Sequence, residues 1–457
     1  MGALTQLLEK YSRPGPRYTS YPTAPYFHTG FGAAQWRAEL AAAQDPARGL
    51  SLYVHIPFCD TLCYYCGCNM VATGDYHKAE RYLQVLEREL DAVAALTHPA
   101  RQVEQLHYGG GTPTYLKPED LRRLTAMIRS RFSLAADAEM GCEVDPRELT
   151  RAHLEALRAD GFNRLSIGVQ DLDPTVQRAV NRVQPPELIA EVYGWARELG
   201  FASINMDLIV GLPHQTVERF ARTLDQVLAW GPDRLAVFAY AHVPWMKKHQ
   251  KLIREADLPS FTTRLELQQL IHERLAAAGY VNIGMDHFAQ PQDELVAAQR
   301  SKTLWRNFQG YTTHKDCDIY AFGASSISQT RDVYAQNEKN LKKYMERVAA
   351  GELPIERGLR LTPEDHLRRD LILRIMCDLE LDFDAFARAW RVDFHTHFAD
   401  ALAELPELAA DGLIELSASG FRVTDLGRIF LRNIAMCFDA YLRQESAEAR
   451  PRYSRTA

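Results

Sequence analysis

The chain has 457 residues, of which 46% are hydrophobic and 25% charged, a composition typical of a folded globular protein with room for more than one domain. Its formal net charge of −6 argues against a dedicated nucleic-acid binder, whose binding face is usually basic. Neither a run of 18 apolar residues nor the pattern of a secretory signal occurs, so we expect no membrane span and a cytoplasmic location.

The N-terminal segment, residues 1–50, contains a turn-rich stretch from Pro14 to Pro22 and then a short helical pattern. This stretch has three prolines and two tyrosines in nine residues. Such a composition is compatible with an ordered strap lying on the protein and equally with a flexible tail.

A regular alternation of strand and helix patterns begins at residue 51. The strand patterns cover 51–58, 105–108, 140–144, 164–170, 202–210 and 234–240, with amphipathic helices between them. Parallel strands need long crossovers, so these units predict an α/β fold with a parallel sheet. Six units are too few to close an eight-stranded barrel. We therefore predict an open (β/α)6 partial TIM-like barrel over residues 51–255.

The alternation lapses after about residue 255. We interpret residues 256–359 as a barrel extension and connecting segment, and residues 360–457 as a mostly helical C-terminal domain. Its helical patterns cover 363–377, 383–390, 398–408 and 426–442, and a hairpin is predicted from 413–417 and 421–424. A hairpin between helices is reminiscent of a winged helix, so a redox-sensing nucleic-acid binder is one alternative, which the negative net charge disfavours.

Four of the eight cysteines lie within ten residues, and the first three, Cys59, Cys63 and Cys66, have the spacing C-x3-C-x2-C. This clustering, in a chain without an export signal, is typical of metal binding rather than of disulfides. Three thiolates this close can each ligate one iron of a single [4Fe–4S] cluster. A zinc site is the alternative, but such sites usually add a second, distant ligand pair that the sequence lacks.

Whether one iron of such a cluster stays open to a further ligand depends on the role of Cys68. Cys66, Gly67 and Cys68 form a tight C-x-C pair whose thiolates would be strained to reach adjacent irons, so we interpret Cys68 as a non-ligand, either a neighbour that tunes the site or a plain buried thiol. Three ligands leave one iron open to the amino and carboxylate groups of S-adenosylmethionine, whose reductive cleavage yields a 5′-deoxyadenosyl radical. The protein then supplies position and a dry pocket.

Glycine and polar residues occupy the predicted strand ends. Gly109 to Thr112 follow the second strand, where glycines let the backbone approach a ligand closely, although an ordinary turn is the alternative. Glu143, Gln170 and Asp207 lie at or near the ends of later strands. A buried carboxylate there needs a partner, which a ribose diol, an amino group or a structural Lys or Arg would provide.

Longer motifs surround these residues and occur in order along the chain: GPRYTSYPTA at 15–24, SLYVHIPFCDTLCYYCGCNMV at 51–71, LHYGGGTPTYL at 106–116, EVDPRE at 143–148, FNRLSIGVQD at 162–171, MDLIVGLP at 206–213, YAHVPWMKKHQ at 240–250, GMDHFA at 284–289, NFQGYTT at 307–313 and RNIAMCFDAYLR at 432–443. With them the chain resembles the oxygen-independent coproporphyrinogen III oxidases of anaerobic haem synthesis, which are radical S-adenosylmethionine enzymes. The resemblance covers nearly the whole chain.

The resemblance implies a strap, a (β/α)6 barrel and a helical domain over its mouth, together with two molecules of S-adenosylmethionine. It places Tyr53, Gly110 and Glu143 on the cluster-bound molecule, with Ile327 packing nearby. It places Tyr65, Gln170, Arg182, Asp207 and Ala241 on the second molecule, and Gly111 and Thr112 where the two meet. Tyr65 stands where the family often has Phe, another flat aromatic residue.

The implied reaction is oxidative decarboxylation of the ring A and ring B propionates of coproporphyrinogen III to vinyl groups, giving protoporphyrinogen IX. A substrate with four carboxylates requires bound positive charge. The candidates are Arg17, Arg164, Arg306 and the pair Lys247–Lys248, with Gln309 in a segment over the site; a solvated surface charge is the alternative for each basic residue.

Further expectations are an electron donor such as flavodoxin or ferredoxin, a monomer, and no nucleic-acid or membrane partner. The main alternative function is a haem-binding chaperone of the same superfamily without decarboxylase activity. Such relatives lack the strap motif, the C-x-C at Cys68 and the NFQGYTT stretch, all of which are present here.

Overall fold

The computed structural model describes residues 3–444 together with Tyr453 and Thr456. Strands β1 to β19 are, in chain order, Leu50–Ile56, Phe58–Cys59, Val71–Ala72, Gln102–Gly110, Ser133–Val144, Arg164–Gln170, Ser203–Val210, Arg234–Ala239, Val281–Gly284, His287–Ala289, Trp305–Asn307, Gly310–Thr312, Asp318–Phe322, Ile327–Gln329, Val333–Asn337, Ile355–Arg360, Glu380–Asp382, Ile414–Ser417 and Gly420–Val423.

Helices α1 to α19 are Ala3–Tyr11, Ala33–Ala42, His77–Ala94, Pro118–Arg129, Arg151–Ala159, Pro174–Ala179, Pro186–Glu198, Val217–Trp230, Phe261–Ala277, Glu294–Ser301, Leu341–Ala349, Pro363–Asp378, Phe383–Trp390, Phe394–His397, Ala399–Leu402, Leu405–Ala410, Asp425–Ile429, Leu431–Met436 and Ala440–Gln444. None of the described helices is both long and apolar enough to cross a membrane.

Twelve strands form one mixed sheet in the order β16-β15-β14-β13-β1-β4-β5-β6-β7-β8-β10-β9. The neighbours from β1 to β8 in this order are all parallel, and helices α3 to α8 connect them. These strands are the six predicted units. The sheet ends at β16 and β9 rather than closing on itself, so the prediction of an open barrel is confirmed.

The segment after residue 255 contributes more sheet than its pattern predicted. Strands β10 and β9 continue the sheet antiparallel beyond β8, while β13 pairs parallel with β1 and carries β14, β15 and β16 on its other side. All five residues of β13 and of β15 are buried. Fully buried strands show no alternation of polar and apolar residues, which is why periodicity missed them. The domain boundaries at residues 50, 255 and 359 stay predictions.

The described part of the C-terminal domain is mostly helical and carries a three-stranded sheet, β17-β19-β18, which includes the predicted hairpin. Two predicted helices were wrong in extent. The helix predicted at 398–408 is divided into α15 and α16, with Pro406 at the start of α16, where a missing N–H is tolerated. The helix predicted at 426–442 is divided into α17, α18 and α19, because Asp439 accepts the backbone N–H groups of Tyr441 and Leu442 and starts a new turn.

The stretch from Pro14 to Pro22 is an ordered strap on the C-terminal domain, which decides between the two alternatives. Tyr18 and Tyr21 are each only 1% exposed and belong to the same hydrophobic core as helices α12 and α18. The Tyr18 hydroxyl donates to Asp439 over 2.9 Å, and Arg432 Nε donates to the Pro16 carbonyl over 2.9 Å. A larger core fills the space between the sheet and its helices.

Candidate active site

The carboxyl ends of the parallel strands meet around one cavity of about 400 Å3. The cysteine loop follows β1, the glycine run ends β4, and polar residues occupy the last parts of β5, β6 and β7. Parallel strands end at the same edge of a sheet, so these groups converge. The predicted site residues that line this cavity are Cys59, Cys63, Cys66, Tyr65, Gly110, Gly111, Thr112, Glu143, Arg164, Gln170, Arg182, Asp207 and Gln309.

The three spaced cysteines fit an iron–sulfur cluster by their chemistry and placement. Arg147 Nη2 donates to Cys63 Sγ over 3.4 Å, and Arg182 Nη1 lies 3.6 Å from the same sulfur. The positive charge of the two guanidinium groups complements the negative charge of an iron-bound thiolate. Cys59 Sγ lies 3.3 Å from Thr112 Oγ1, and burial raises the pKa of Cys59 to about 12.

Cys68 lies in the same loop, is exposed, and also borders the cavity. Its backbone N–H donates to Cys66 Sγ over 3.4 Å. Hydrogen bonds from the Cys68 thiol and amide, with the positive charge of Lys247 nearby, lower the pKa of Cys66 to about 6. Cys68 is therefore placed to influence a neighbouring sulfur, and its exclusion from the ligand set stays a prediction.

The segment after β8 holds the cysteine loop by three side chains, a role that the sequence analysis missed. Lys247 Nζ donates to the Cys68 carbonyl over 2.8 Å, and Gln250 Nε2 donates to the Tyr65 carbonyl over 2.8 Å. His249 Nε2 lies 2.7 Å from the Cys66 carbonyl oxygen. All three residues lie in the motif at 240–250, which is the sequence feature that could have indicated this role. The ammonium of Lys247, which was predicted to contact the substrate, donates a hydrogen bond to this loop instead.

Gly110 shapes the rim of the cavity. Its φ of +121° is a conformation that glycine adopts readily, and a Cβ there would lie 2.8 Å from a His55 ring nitrogen. Its N–H donates to Glu143 Oε2 over 3.3 Å. A Cβ on Gly109 would lie 2.9 Å from Glu143 Oε1 and 3.0 Å from the ring of Tyr53. Tyr53 therefore lies beside Glu143, behind the glycine run.

Arg182, which is 6% exposed, connects the cysteine loop to the strand ends. It donates to Asp145 over 2.8 Å and to the Gly168 carbonyl over 2.6 Å. Burial opposes ionisation of Asp145, but the guanidiniums of Arg182 and Arg147 outweigh it and lower the pKa of Asp145 to about 2. Two arginines share one carboxylate here, which leaves positive charge beside Cys63.

Gln170 and Asp207 lie on the neighbouring strands β6 and β7, toward the carboxyl edge of the sheet. Asp207 accepts from Ser166 Oγ over 2.7 Å and from Asn205 Nδ2 over 2.8 Å. Burial, with the charge of Glu143 nearby, raises the pKa of Asp207 to about 6. Gln170 has a left-handed φ of +66°, unusual outside glycine and frequent at binding sites. A further hydroxyl or ammonium donor would stabilise the ionised Asp207.

Some predicted residues lie outside this cavity. Ala241 and Arg17 line a second cavity of about 640 Å3, between the strap, the ends of β7 and β8, and helices α9, α17 and α18. Ile327 packs with Phe27 and Phe308 in a small separate cluster.

The predicted substrate arginines differ in how their charge is used. Arg164 faces the first cavity but forms ion pairs with Glu139 at 2.8 Å and Glu294 at 2.6 Å. Arg306 is only 3% exposed, and its guanidinium carbon lies 4.6 Å from the ring centre of Tyr311. The charge of Arg164 is therefore compensated within the protein, whereas Arg306 packs on an aromatic ring.

Comparison with known proteins gives consistent matches. The model of the Radical SAM superfamily matches residues 53–227, and the model of the HemN C-terminal domain matches residues 361–430. Oxygen-independent coproporphyrinogen III oxidases of Salmonella typhimurium and Escherichia coli (strain K12) are each 50% identical over 440 residues, covering 96% of both chains.

The relative of the same name from Pseudomonas aeruginosa is 48% identical over 95% of both chains. The solved structure of coproporphyrinogen III oxidase (HemN) from Escherichia coli superposes with a TM-score of 0.91 at 49% identity, covering 95% of this chain and 98% of that one. The chain therefore belongs to the family of oxygen-independent coproporphyrinogen III oxidases, within the Radical SAM superfamily.

Proposed function

We propose that this chain is an oxidoreductase that converts the ring A and ring B propionates of coproporphyrinogen III to vinyl groups by oxidative decarboxylation, giving protoporphyrinogen IX. The observation that carries the proposal is the cysteine-lined cavity at the strand ends, in a chain 50% identical to such oxidases over 96% of its length. The shared name of these relatives favours the enzyme over a haem-carrying chaperone.

Cys59, Cys63 and Cys66 are the proposed ligands of a [4Fe–4S] cluster. When bound, the cluster and S-adenosylmethionine supply one-electron chemistry and a radical that abstracts hydrogen from the substrate. Gly110 and Glu143, joined by a hydrogen bond at the rim, and the adjacent Tyr53 are proposed to orient the first S-adenosylmethionine. Ile327 packs away from this cavity, so we propose for it an indirect role through Phe308 and its neighbour Gln309.

A second S-adenosylmethionine is proposed to lie against Tyr65, Gln170, Arg182, Asp207 and Ala241, with Gly111 and Thr112 between the two molecules. All of these except Ala241 line the cysteine-lined cavity, and Ala241 lines the cavity beside it. Asp207 supports this placement, because its buried carboxylate favours an additional donor.

The proposed substrate contacts are Arg17, Arg164, Arg306 and Gln309. Gln309 and Arg164 line the cysteine-lined cavity, and Arg17 lines the second one. Because Arg164 is already paired with two carboxylates, it is better placed to orient the cavity wall than to neutralise a propionate. An electron donor such as flavodoxin or ferredoxin, a monomeric state and a cytoplasmic location complete the proposal.

Product analysis tests the proposal. The anaerobically reconstituted protein is incubated with coproporphyrinogen III, S-adenosylmethionine and a reductant. The products are then oxidised to porphyrins, separated by chromatography and identified by mass spectrometry. Loss of two CO2 with appearance of the divinyl product is expected, and none is expected from Cys63→Ser. Tight haem uptake without turnover would instead establish the chaperone.

A further inference from the structure

A group of buried and partly buried arginines lies at the second cavity. Arg17 reaches it from the strap, and Arg428 and Arg432 reach it from α17 and α18. Arg306, from β11, lies behind them, with its Nε 3.4 Å from the Arg17 carbonyl oxygen. Residues distant in the sequence therefore place three guanidinium groups at the wall of this cavity and a fourth, that of Arg306, directly behind them. We refer to these four residues as the arginine cradle.

The charges of the arginine cradle repel one another. Burial together with the neighbouring Arg432 and Arg306 lowers the pKa of Arg17 to about 9. Burial, together with repulsion from Arg306, lowers the pKa of Arg432 to about 10. Asp286 pairs with Arg17, whereas Asp425, 3.5 Å from Arg428, is fully exposed and screened by water. Among the described residues no carboxylate forms an ion pair with Arg306, the buried arginine behind the cavity wall.

One atom of the cradle also lacks an acceptor. Arg306 Nη1 is buried and has no hydrogen-bond partner within the part of the chain that the structure describes, whereas Arg428 Nε faces the Asp425 carboxylate at 3.5 Å. Arg306 is only 3% exposed as a whole residue. A buried charged donor without an acceptor costs free energy, so such groups in a native protein require an explanation. An anionic ligand would supply both an acceptor for Arg306 and further negative charge for the arginines at the cavity wall.

We propose that the arginine cradle binds the two propionates of coproporphyrinogen III that do not react. The identity of this ligand rests on the proposed function, whereas the carboxylate chemistry rests on the cradle itself. The guanidinium fork matches a carboxylate with two parallel hydrogen bonds, and several forks around one cavity suit a ligand with more than one carboxylate.

The position of the cradle suits a large substrate that reaches both cavities. Phe238 borders the cysteine-lined cavity, and the Arg17 guanidinium carbon lies 5.7 Å from the centre of its ring. The two cavities are therefore neighbours, separated by these side chains. Trp245, which is 65% exposed, lines the second cavity and offers a flat apolar surface to a tetrapyrrole.

Binding of coproporphyrin III, the stable oxidised form of the substrate, tests the cradle without turnover. Its affinity for the cluster-loaded enzyme is measured by fluorescence titration for wild type, R306Q, R428Q and R428K. We expect an affinity at least about tenfold weaker for each Gln variant, because a hydrogen bond between charged groups is lost. R428K keeps the charge but loses the fork, so an intermediate affinity is expected.

Two controls separate carboxylate recognition from general damage. R388Q removes an exposed arginine of α13 and should bind coproporphyrin III as wild type does. Coproporphyrin tetramethyl ester has no carboxylates, so it should bind weakly and equally to wild type and variants. Without ligand, R306Q should unfold at the wild-type temperature or above, because the substitution removes an uncompensated buried charge; a purely structural arginine would lower it.

Unchanged affinity for coproporphyrin III in both R306Q and R428Q would overturn the cradle, and so would equal binding of acid and ester by wild type. Either result is compatible with formation of the divinyl product, so the proposed function would stand. Arginine-dependent binding of coproporphyrin III by an enzyme that forms no divinyl product would support the cradle and overturn the proposed function.

Discussion

The Gly110 N–H donates to Glu143 Oε2 over 3.3 Å and thereby joins the ends of β4 and β5 at the rim of the cysteine-lined cavity. The contact depends on the positive φ of Gly110, since the backbone there turns its N–H toward the carboxylate. The same turn leaves no room for a Cβ beside His55. A single glycine therefore positions both the rim and a proposed ligand-binding carboxylate.

Gly110→Ala should abolish S-adenosylmethionine binding and lower stability by about 1–3 kcal/mol, the cost of a strained backbone conformation. Equilibrium binding and thermal unfolding measure the two effects. Gly194→Ala is the matched control, because Gly194 lies in α7 and an added Cβ there meets nothing within 4 Å. It should raise stability by about 0.5–1 kcal/mol and leave binding unchanged. Wild-type affinity in Gly110→Ala would contradict the assigned role.

Single substitutions of Cys59, Cys63 or Cys66 by Ser should each remove most of the bound iron and sulfide, because the three thiolates are proposed to ligate separate irons. Cys68→Ser is the internal control and should retain the cluster. Iron and sulfide analysis of anaerobically prepared protein, with visible absorbance, measures the outcome. If Cys68→Ser folds normally but loses the cluster, Cys68 would be a fourth ligand and no iron would be left open to S-adenosylmethionine.

Binding of S-adenosylmethionine should weaken as the pH falls through about 6, because burial raises the pKa of Asp207 to about 6 and a donor ligand needs the ionised form. Asp207→Asn should bind more weakly at neutral pH and lose this pH dependence. Titrations between about pH 5 and pH 8 measure both effects. A wild-type affinity independent of pH over this range would argue against a donor ligand on Asp207.

Without ligand, the contribution of Asp207 to stability should change with pH in the direction opposite to S-adenosylmethionine binding. Its pKa in the folded protein lies above the ordinary value of 3.8, so the folded state holds the proton more tightly than the unfolded state. The free energy of unfolding should therefore fall as the pH rises from about 4 to about 6, and this contribution should be absent from Asp207→Asn.

Arg101→Met should lower the free energy of unfolding by about 3–5 kcal/mol, because it breaks a buried ion pair and leaves the carboxylate of Asp318 with Arg48 as its one remaining cation among the described residues. It also removes the donors to the carbonyl oxygens of Ala43 and Arg48. Arg101 Nη2 lies 2.7 Å from Asp318 Oδ2, and both side chains are 1% exposed. Arg131→Met is the control: Arg131 also lies 2.7 Å from a carboxylate, but that of Asp91 is 59% exposed, so a loss below about 1 kcal/mol is expected. Equal losses in denaturant unfolding would contradict this difference.

The sequence by itself determined the cysteine loop, the glycine run and the six parallel units. Each of these is a local pattern: the spacing of Cys59, Cys63 and Cys66 spans eight residues, and each strand or helix shows its own periodicity. Placing polar residues at the strand ends was then enough to predict that Glu143, Gln170 and Asp207 converge, because parallel strands end at one edge.

Only the tertiary structure decided which distant segments meet. Strand β13 lies beside β1 with Asp318 opposite Leu50, Lys247 reaches the Cys68 carbonyl, and Arg17 and Arg428 line one cavity. Nothing in local periodicity specifies such contacts, because they form between residues hundreds of positions apart through packing of whole layers. For the same reason the sequence does not reveal whether the charge of an arginine is compensated, as that of Arg164 is, or whether a buried donor finds no partner among the described residues, as Nη1 of Arg306 does.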